Sequence, residues 1–434
     1  MECSTGVSSE SRAQDVEDQA ADTRERRGLL ARNRSFRLLW FGDAASQVGS
    51  MITYIALPLV AILALDASSF EVGLLTAAGY AAWILVGLPA GALLDRRLKR
   101  PVMVFCDIGR AALVLSIPVA AALDALTLGQ LYAVALGTGI LTTVFDIAYP
   151  AYVPHIVDRS DLVTANARLQ LIYSTSQISG PSVGGGLVQA LTAPFAILVN
   201  TATFLISAVC LGRIDDTEPP PQVTTGESLL TQIKDGLRFV RRHRVIRSVM
   251  IASAGFNFFI AAHEALVVIF LVQSVGVSPG LIGVLLASAG IGGLVGASLM
   301  GLAQRRLGTV RLIWVVPVLT VPFGTLLPLT ENGWGLAFFV VGALVPAIGV
   351  VAFNVAVGTF IQTLVPTGML SRAGASIRVV TRSALPMGAF IGGAVALQIP
   401  ISAALLAAAL GMTLSVLTLL ASPIRGKREL QDIM

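Results

Sequence analysis

Gly91-Ala92-Leu93-Leu94-Asp95-Arg96-Arg97-Leu98-Lys99-Arg100 is a densely charged hinge between two long apolar runs. Charge of this density is expelled from hydrocarbon, so the hinge is a water-exposed loop. Cationic loops collect on the cytoplasmic face of a membrane, and the four cations of this one therefore orient both neighbouring runs.

Working outward, the rest of the 434-residue chain shares the character of those runs. It is 55% hydrophobic and 13% charged, with mean hydropathy +0.80. Soluble domains carry about 25% charged residues, so this composition reads as an integral membrane protein. The net charge of +5 suggests a nucleic-acid partner only if the cations gather in one domain. They flank apolar runs instead, and no nucleic acid is expected. Cys3, Cys106 and Cys210 are too few and too scattered for a disulfide framework or a metal cluster, and they read as packing residues.

A membrane helix needs about 20 mostly apolar residues. About twelve such runs are predicted, near 38–65, 72–94, 102–123, 128–149, 162–190, 195–211, 248–272, 279–303, 312–329, 334–364, 373–397 and 401–421. With both termini inside, the outer turns 66–71, 124–128, 191–194, 273–279, 330–333 and 398–401 hold no Lys or Arg. The inner loops hold Arg96 to Arg100, Arg159, Arg213 and the clusters at 238–247, 305–311 and 425–428. A missing span would scramble that asymmetry. The expected organisation is a disordered cytoplasmic tail (1–35), a six-helix bundle (36–212), a cytoplasmic linker (213–247), a second bundle (248–421) and a short cytoplasmic tail (422–434). No signal-peptide pattern opens the chain. Leu229, Leu230, Ile233, Leu237 and Val240 beside Lys234, Arg238, Arg241 and Arg242 predict an amphipathic helix in the linker.

Two patterns recur about 200 residues apart, as in a duplicated half. Gly91 with Arg96 is echoed by Gly301 with Arg306. Gly180-Pro181-Ser-Val-Gly184-Gly185 is echoed by Leu385-Pro386-Met387-Gly388 with Gly392-Gly393 one turn later.

These residues carry a family resemblance. Gly91, Asp95, Arg96, Lys99 and Arg100 resemble the loop motif G-x-x-x-D-R-x-G-R-R/K of the major facilitator superfamily, with Leu98 where the motif has Gly. Ser176-x-x-x-Gly180-Pro181-x-x-Gly184-Gly185 is similar to the fifth-helix motif of its drug and proton antiporters, Ser176 replacing the first glycine. Asn33-Arg-Ser-Phe-Arg37-Leu-Leu-Trp40, Asp107-Ile-Gly-Arg110 and Ala165-Asn166-Ala167 complete a likeness to the branch that includes macrolide and siderophore exporters. The likeness spans about residues 30 to 422. It implies an all-α membrane protein of two pseudo-symmetric six-helix bundles around a central cavity, working by alternating access.

The resemblance also implies roles. Asp95 would reach a helix N-terminus in the other half and hold an inner gate shut. Such a contact is worth about 0.3–1 kcal/mol, enough to bias two states without locking one. Gly180, Gly184 and Gly185 strip side chains from one helix and Pro181 removes a donor, as expected at a close, bent and mobile helix interface.

Acids inside spans are functional suspects, since each costs at least ~2.5 kcal/mol at mid-membrane. Asp43, Asp107, Asp146 and Glu264 qualify. Asp107 and Arg110 stand three apart and read as a structural or gate-linked pair. Asp146 is left without a role. Asp43, Gln47, Ser50 and Tyr54 form one polar stripe, and Ser253, Asn257 and Glu264, beside His263, repeat the idea in the other half. Asp43 and Glu264 are expected to couple protons or recognise cations; the alternative is a static core in which they pair with Arg378 and Arg382. Tyr80, Trp83, Gln170, Tyr173, Gln177 and Asn354 are expected to add an aromatic and amide cavity lining.

The expected function is secondary active export of drug-like or natural-product small molecules, coupled to protons. A transporter of a small polar solute and a non-transporting sensor are the alternatives. No G-x-x-x-x-G-K-[ST] and no H-E-x-x-H occurs, so no ATP-driven step, cofactor, metal or enzymatic activity is expected. Among the basic residues only Lys99, Lys234 and Lys427 are lysines, and Ala, Gly and Val abound. This matches a GC-rich bacterial genome and so a bacterial cytoplasmic membrane, in which a monomer is expected.

Overall fold

The computed structural model describes residues 29–94, 97–158, 161–215, 218, 238, 241–364 and 370–421. The amphipathic linker stripe, Asp95, Arg96 and the expected tails at 1–28 and 422–434 lie outside them. Residues 29–35, read from sequence as the end of a tail, are ordered. Leu29–Arg32 is a helical turn with Leu29 buried, and Asn33 caps the next helix by accepting from the Phe36 N–H at 2.8 Å.

The long helices are α1 Arg34–Leu65, α2 Ser69–Leu94, α3 Lys99–Ala122, α4 Leu128–Ile156, α5 Leu162–Leu191 and α6 Ala193–Gly212. After the linker come α7 Arg244–Ile269, extended by a π turn Phe270–Val275, and α8 Pro279–Leu307. α9 is broken: Val315–Thr320 runs into a 3-10 stretch, Val321–Leu329. α10 Leu336–Leu364, α11 Leu370–Val395 and α12 Ile401–Leu417 follow. Ten of the described segments are long and apolar enough to cross a membrane. The two further long helices, α5 and α11, carry Arg168, Gln170 and Gln177, and Arg372, Arg378 and Arg382, which lower their apolar content.

Local chemistry sets the helix ends. Ser68 and Glu71 form a reciprocal capping box at α2, with Ser68 N–H to the Glu71 carboxylate at 2.8 Å and Glu71 N–H to Ser68 Oγ at 3.4 Å. Thr127 caps α4 through the Gln130 N–H at 3.3 Å. Gly276 and Gly308 end the α7 segment and α8 at φ of +73° and +80°, a region that strains any other L residue.

α1, α5 and α6 pack together, α3 packs on both α4 and α6, and α2 lies on α4. The same pattern joins α7 to α11 and α12, α8 to α10, and α9 to α10 and α12. Two seams connect these sets, α2 with α11 and α5 with α8. The buried cores show how the sets meet. One core takes Ile55, Leu59 and Ile197 from the first set and Leu266, Phe270 and Leu405 from the second. Two others stay within a set, one around Phe36, Met103 and Tyr152, the other around Ile246, Val310 and Met412. The halves are therefore fused at the end bearing the turns at 66–68, 123–127 and 276–278, the closed end, and parted at the other.

Glycines make the fusion close. A Cβ on Gly73 of α2 would lie 2.8 Å from Gly393 Cα of α11, and one on Gly185 of α5 would lie 2.9 Å from Gly283 Cα of α8. These reciprocal pairs correct the register of the internal echo. Gly388, Gly392 and Gly393 correspond to Gly180, Gly184 and Gly185, because Gly180 and Gly184 meet α1 at Met51 and Ile52 while Gly388 and Gly392 meet α7 at Phe258 and Ala262. The motif thus splits between two faces: Gly180 and Gly184 pack within their own half, whereas Pro181 and Gly185 pack across the seam. Overpacking costs about 1–3 kcal/mol per site. Gly73→Ala combined with Gly283→Ala is expected to open the closed end, seen as a longer spin-label distance between positions 124 and 331 by pulsed electron resonance. An unchanged distance distribution refutes it.

Candidate functional site at the seam

The halves meet chemically at Glu264. Its α7 position projects the carboxylate toward α2, where the Tyr80 hydroxyl donates to it, so one short hydrogen bond crosses between the sets. Tyr54 of α1 and Tyr173 of α5 stand within electrostatic reach of the same carboxylate. Gln177 donates its amide to the Tyr173 hydroxyl at 3.2 Å. One acid of the second half is thus faced by three phenols of the first.

A second cross-half contact lies beside it. The Arg382 guanidinium of α11 sits 4.1 Å from the centroid of the Trp83 ring on α2, a cation–π pair. Asp146, for which the sequence suggested no role, is exposed in the gap between the halves, within electrostatic reach of Arg382 on one side and Arg110 on the other. Arg378, one turn from Arg382, is likewise exposed. Neither Asp43 nor Glu264 forms an ion pair with Arg378 or Arg382 among the described residues, so the geometry departs from the static core.

Asp43 belongs to a different environment, inside the first half. It is 6% exposed and accepts from the Tyr149 hydroxyl at 3.1 Å, with the Gln47 amide at 3.5 Å. Asp146 and Asp107 stand within electrostatic reach of it. Asp107 and Arg110 are paired and buried, as their spacing suggested. The guanidinium lies 4.5 Å from both the Phe145 and Phe204 ring centroids and 3.4 Å from Thr142 Oγ1. This sandwich was not visible in the sequence, because its rings come from α4 and α6.

Asn257 donates to the Thr381 carbonyl at 3.0 Å, joining α7 to α11. His263 has its Nε2 buried with no hydrogen-bond partner among the described residues. Asn354 is exposed on α10. Gly276-Val-Ser278-Pro-Gly280 has the spacing of a hydrolase elbow, yet Ser278 merely precedes α8 in a closed-end turn.

At the open end, Lys99 and Arg100 begin α3. Leu98 precedes them with φ −65° and ψ 130°, extended backbone that needs no glycine, which accounts for the departure from the loop motif. Leu98 also has no side chain able to cap. Glu218, at the start of the linker, supplies the cap instead: its carboxylate accepts from the Lys99 N–H at 2.7 Å and the Arg100 N–H at 3.3 Å, with Lys99 Nζ at 3.4 Å. Arg100 in turn donates to the carbonyls of Leu211 and Gly212. A partly buried carboxylate at a helix N-terminus contributes up to about 2 kcal/mol. Glu218→Gln is expected to speed amide hydrogen exchange in the first turn of α3 roughly tenfold while leaving α4 unchanged. Equal exchange in both proteins refutes the cap.

The comparisons with known proteins follow this architecture. The family model described as transmembrane secretion effector matches residues 30–433. MFS-type transporter YfiS of Bacillus subtilis (strain 168) is 25% identical over 416 residues, covering 92% of this chain and 96% of YfiS. Multidrug efflux pump Tap of Mycolicibacterium fortuitum is 25% identical over 395 residues, covering 87% and 93%. Among solved structures, nucleoside transporter NupG superposes with TM-score 0.69 at 14% identity, covering 89% of this chain and 98% of NupG. A bacterial homologue of the iron transporter ferroportin, in its inward-facing state, gives 0.67 at 16% identity, covering 88% and 98%. A multi-pass chain of this composition fits the bacterial cell membrane. It is a membrane transporter of the major facilitator type and belongs to the transmembrane secretion effector family.

Proposed function

We propose that this transporter exports drug-like or natural-product small molecules in exchange for protons, by alternating access. The observation that carries the reading is the Tyr80–Glu264 bond. A carboxylate at the seam whose partner belongs to the other half ties its own protonation to the packing of the halves. An ionised acceptor makes a bond of about 1.5–3 kcal/mol and a neutral one about 0.5–1.5 kcal/mol, so a proton arriving there loosens the seam. Asp43, buried with Tyr149, is the second candidate proton carrier.

On this reading the parted end faces the cytoplasm, where the cationic loops lie, and the structure is the inward-open state. The chain crosses the membrane twelve times, α5 and α11 included, since their polar faces line the gap and their small residues face other helices. Gly91, Asp95, Arg96, Lys99 and Arg100, with Asp107 and Arg110 behind them, then act at the cytoplasmic gate, which forms when the parted ends close. Tyr54, Tyr173 and Trp83, with the Gln177 amide, present an aromatic and amide wall suited to an amphipathic molecule. The efflux reading is supported further by the relative named as a multidrug efflux pump.

The test is purified protein in vesicles with an imposed pH gradient. Ethidium and rhodamine 6G, added as probes, are expected to discharge the gradient and to accumulate against their own. Probe movement that ignores the pH gradient refutes proton coupling, and no movement of any probe refutes export of this class.

A further inference from the structure

The second half holds an open cavity of about 220 Å³ that the seam site does not use. It lies among α7, α9, α10, α11 and α12 and is lined by Ser253, Phe256, Asn257, Phe353 and Asn354, with apolar side chains completing the wall. We propose that this cavity is a binding site for an uncharged, ring-bearing molecule with a hydrogen-bond donor, and that it forms a substrate subsite distinct from the charged seam.

Three observations carry this. Among the described residues the lining holds no ionisable side chain, so a charged ligand would lose its hydration there without compensation. The polar groups are specific in what they leave open. Asn257 gives one amide N–H to the Thr381 carbonyl at 3.0 Å and keeps its second N–H and its oxygen acceptor. Ser253 donates to Val249 at 2.8 Å and likewise keeps acceptor capacity. Asn354 is exposed and brings both a donor and an acceptor. A ligand with an O–H or N–H and a carbonyl matches that set, and Phe256 and Phe353 supply ring contacts.

The third observation is the backbone beside the cavity. α9 changes from α to 3-10 helix at Val321, and both Pro317 before the change and Val321 itself line the cavity. Irregular backbone at membrane depth persists where it is covered by protein or borders a cavity, and in transporters it marks binding sites. The equivalent helix of the first half, α3, is a single α-helix from Lys99 to Ala122, so the feature belongs to one half only. Asn257 and Glu264 are seven residues apart on α7, about 10 Å along the axis. Ligand recognition and proton handling would thus occupy separate levels of one helix.

As a substrate subsite this rests on the export reading; as a binding site it does not. The test uses the full chain in lipid nanodiscs without any gradient, with 4-hydroxyacetanilide as a neutral probe followed by saturation-transfer NMR. Binding is expected for the wild type, at least tenfold weaker for Ser253→Phe, which fills the cavity, and for Asn354→Leu, which removes the amide at similar volume. Asn354→Gln is expected to bind within about threefold of wild type. No wild-type binding, or binding unaffected by both Ser253→Phe and Asn354→Leu, overturns the proposal. Intact probe binding in a protein that shows no flux overturns the export reading and leaves the site standing.

Discussion

Glu264→Gln is expected to abolish pH-gradient-driven transport, lowering it at least a hundredfold, while passive exchange of substrate across the membrane continues. The glutamine keeps the side-chain shape and still accepts from Tyr80, but it cannot take up or release a proton. It therefore holds the seam in one electrostatic condition. The difference between an ionised and a neutral acceptor, about 1–1.5 kcal/mol, corresponds to roughly a tenfold shift between the two conformations on each protonation. Tyr80→Phe separates the two contributions: the carboxylate remains and the cross-half bond is lost. Coupled transport is expected to persist in Tyr80→Phe at about a tenth of the rate. Full coupling in Glu264→Gln, measured as probe accumulation in inverted vesicles, sinks the assignment.

Arg110→Met is expected to give the largest loss of stability. Asp107 is fully buried and Arg110 is 2% exposed, so the variant strands a carboxylate inside the first half. Breaking a buried pair from one side costs about 3–5 kcal/mol, whereas removing both charges is close to neutral. The double variant Asp107→Asn, Arg110→Met should therefore recover most of the lost thermal stability, read by fluorescence-detected size exclusion after heating. Arg110→Lys should fall between, since an ammonium keeps the charge but not the planar fit between Phe145 and Phe204. A single variant as stable as wild type shows that the pair contributes nothing.

Much of this molecule is legible along the chain because hydrocarbon leaves few choices. The charged hinge and the lysine- and arginine-free turns each act within a few residues, and local chemistry suffices to read them. Asp107 with Arg110 is of the same kind, three apart on one helix. The polar stripes on α1 and α7 are likewise readable, as a period. What the stripes touch is not. Asp43 and Glu264 look alike in sequence, yet one meets Tyr149 within its own half and the other meets Tyr80 of the opposite half, and only the second can report on the seam. The reach of Asp146 toward two arginines and the cap that Glu218 gives α3 were invisible for the same reason.

The sequence by itself determined the membrane class and the family, since each follows from burial of apolar residues or a short motif. The tertiary structure alone decided the register of the glycine echo, the pairing of Gly73 with Gly393 and Gly185 with Gly283, the end at which the halves are fused, and which acid lies between them. Those depend on helices far apart in the chain approaching within van der Waals distance. No periodicity encodes that approach, because in lipid it is set by the shapes of two surfaces rather than by the hydrophobicity of either.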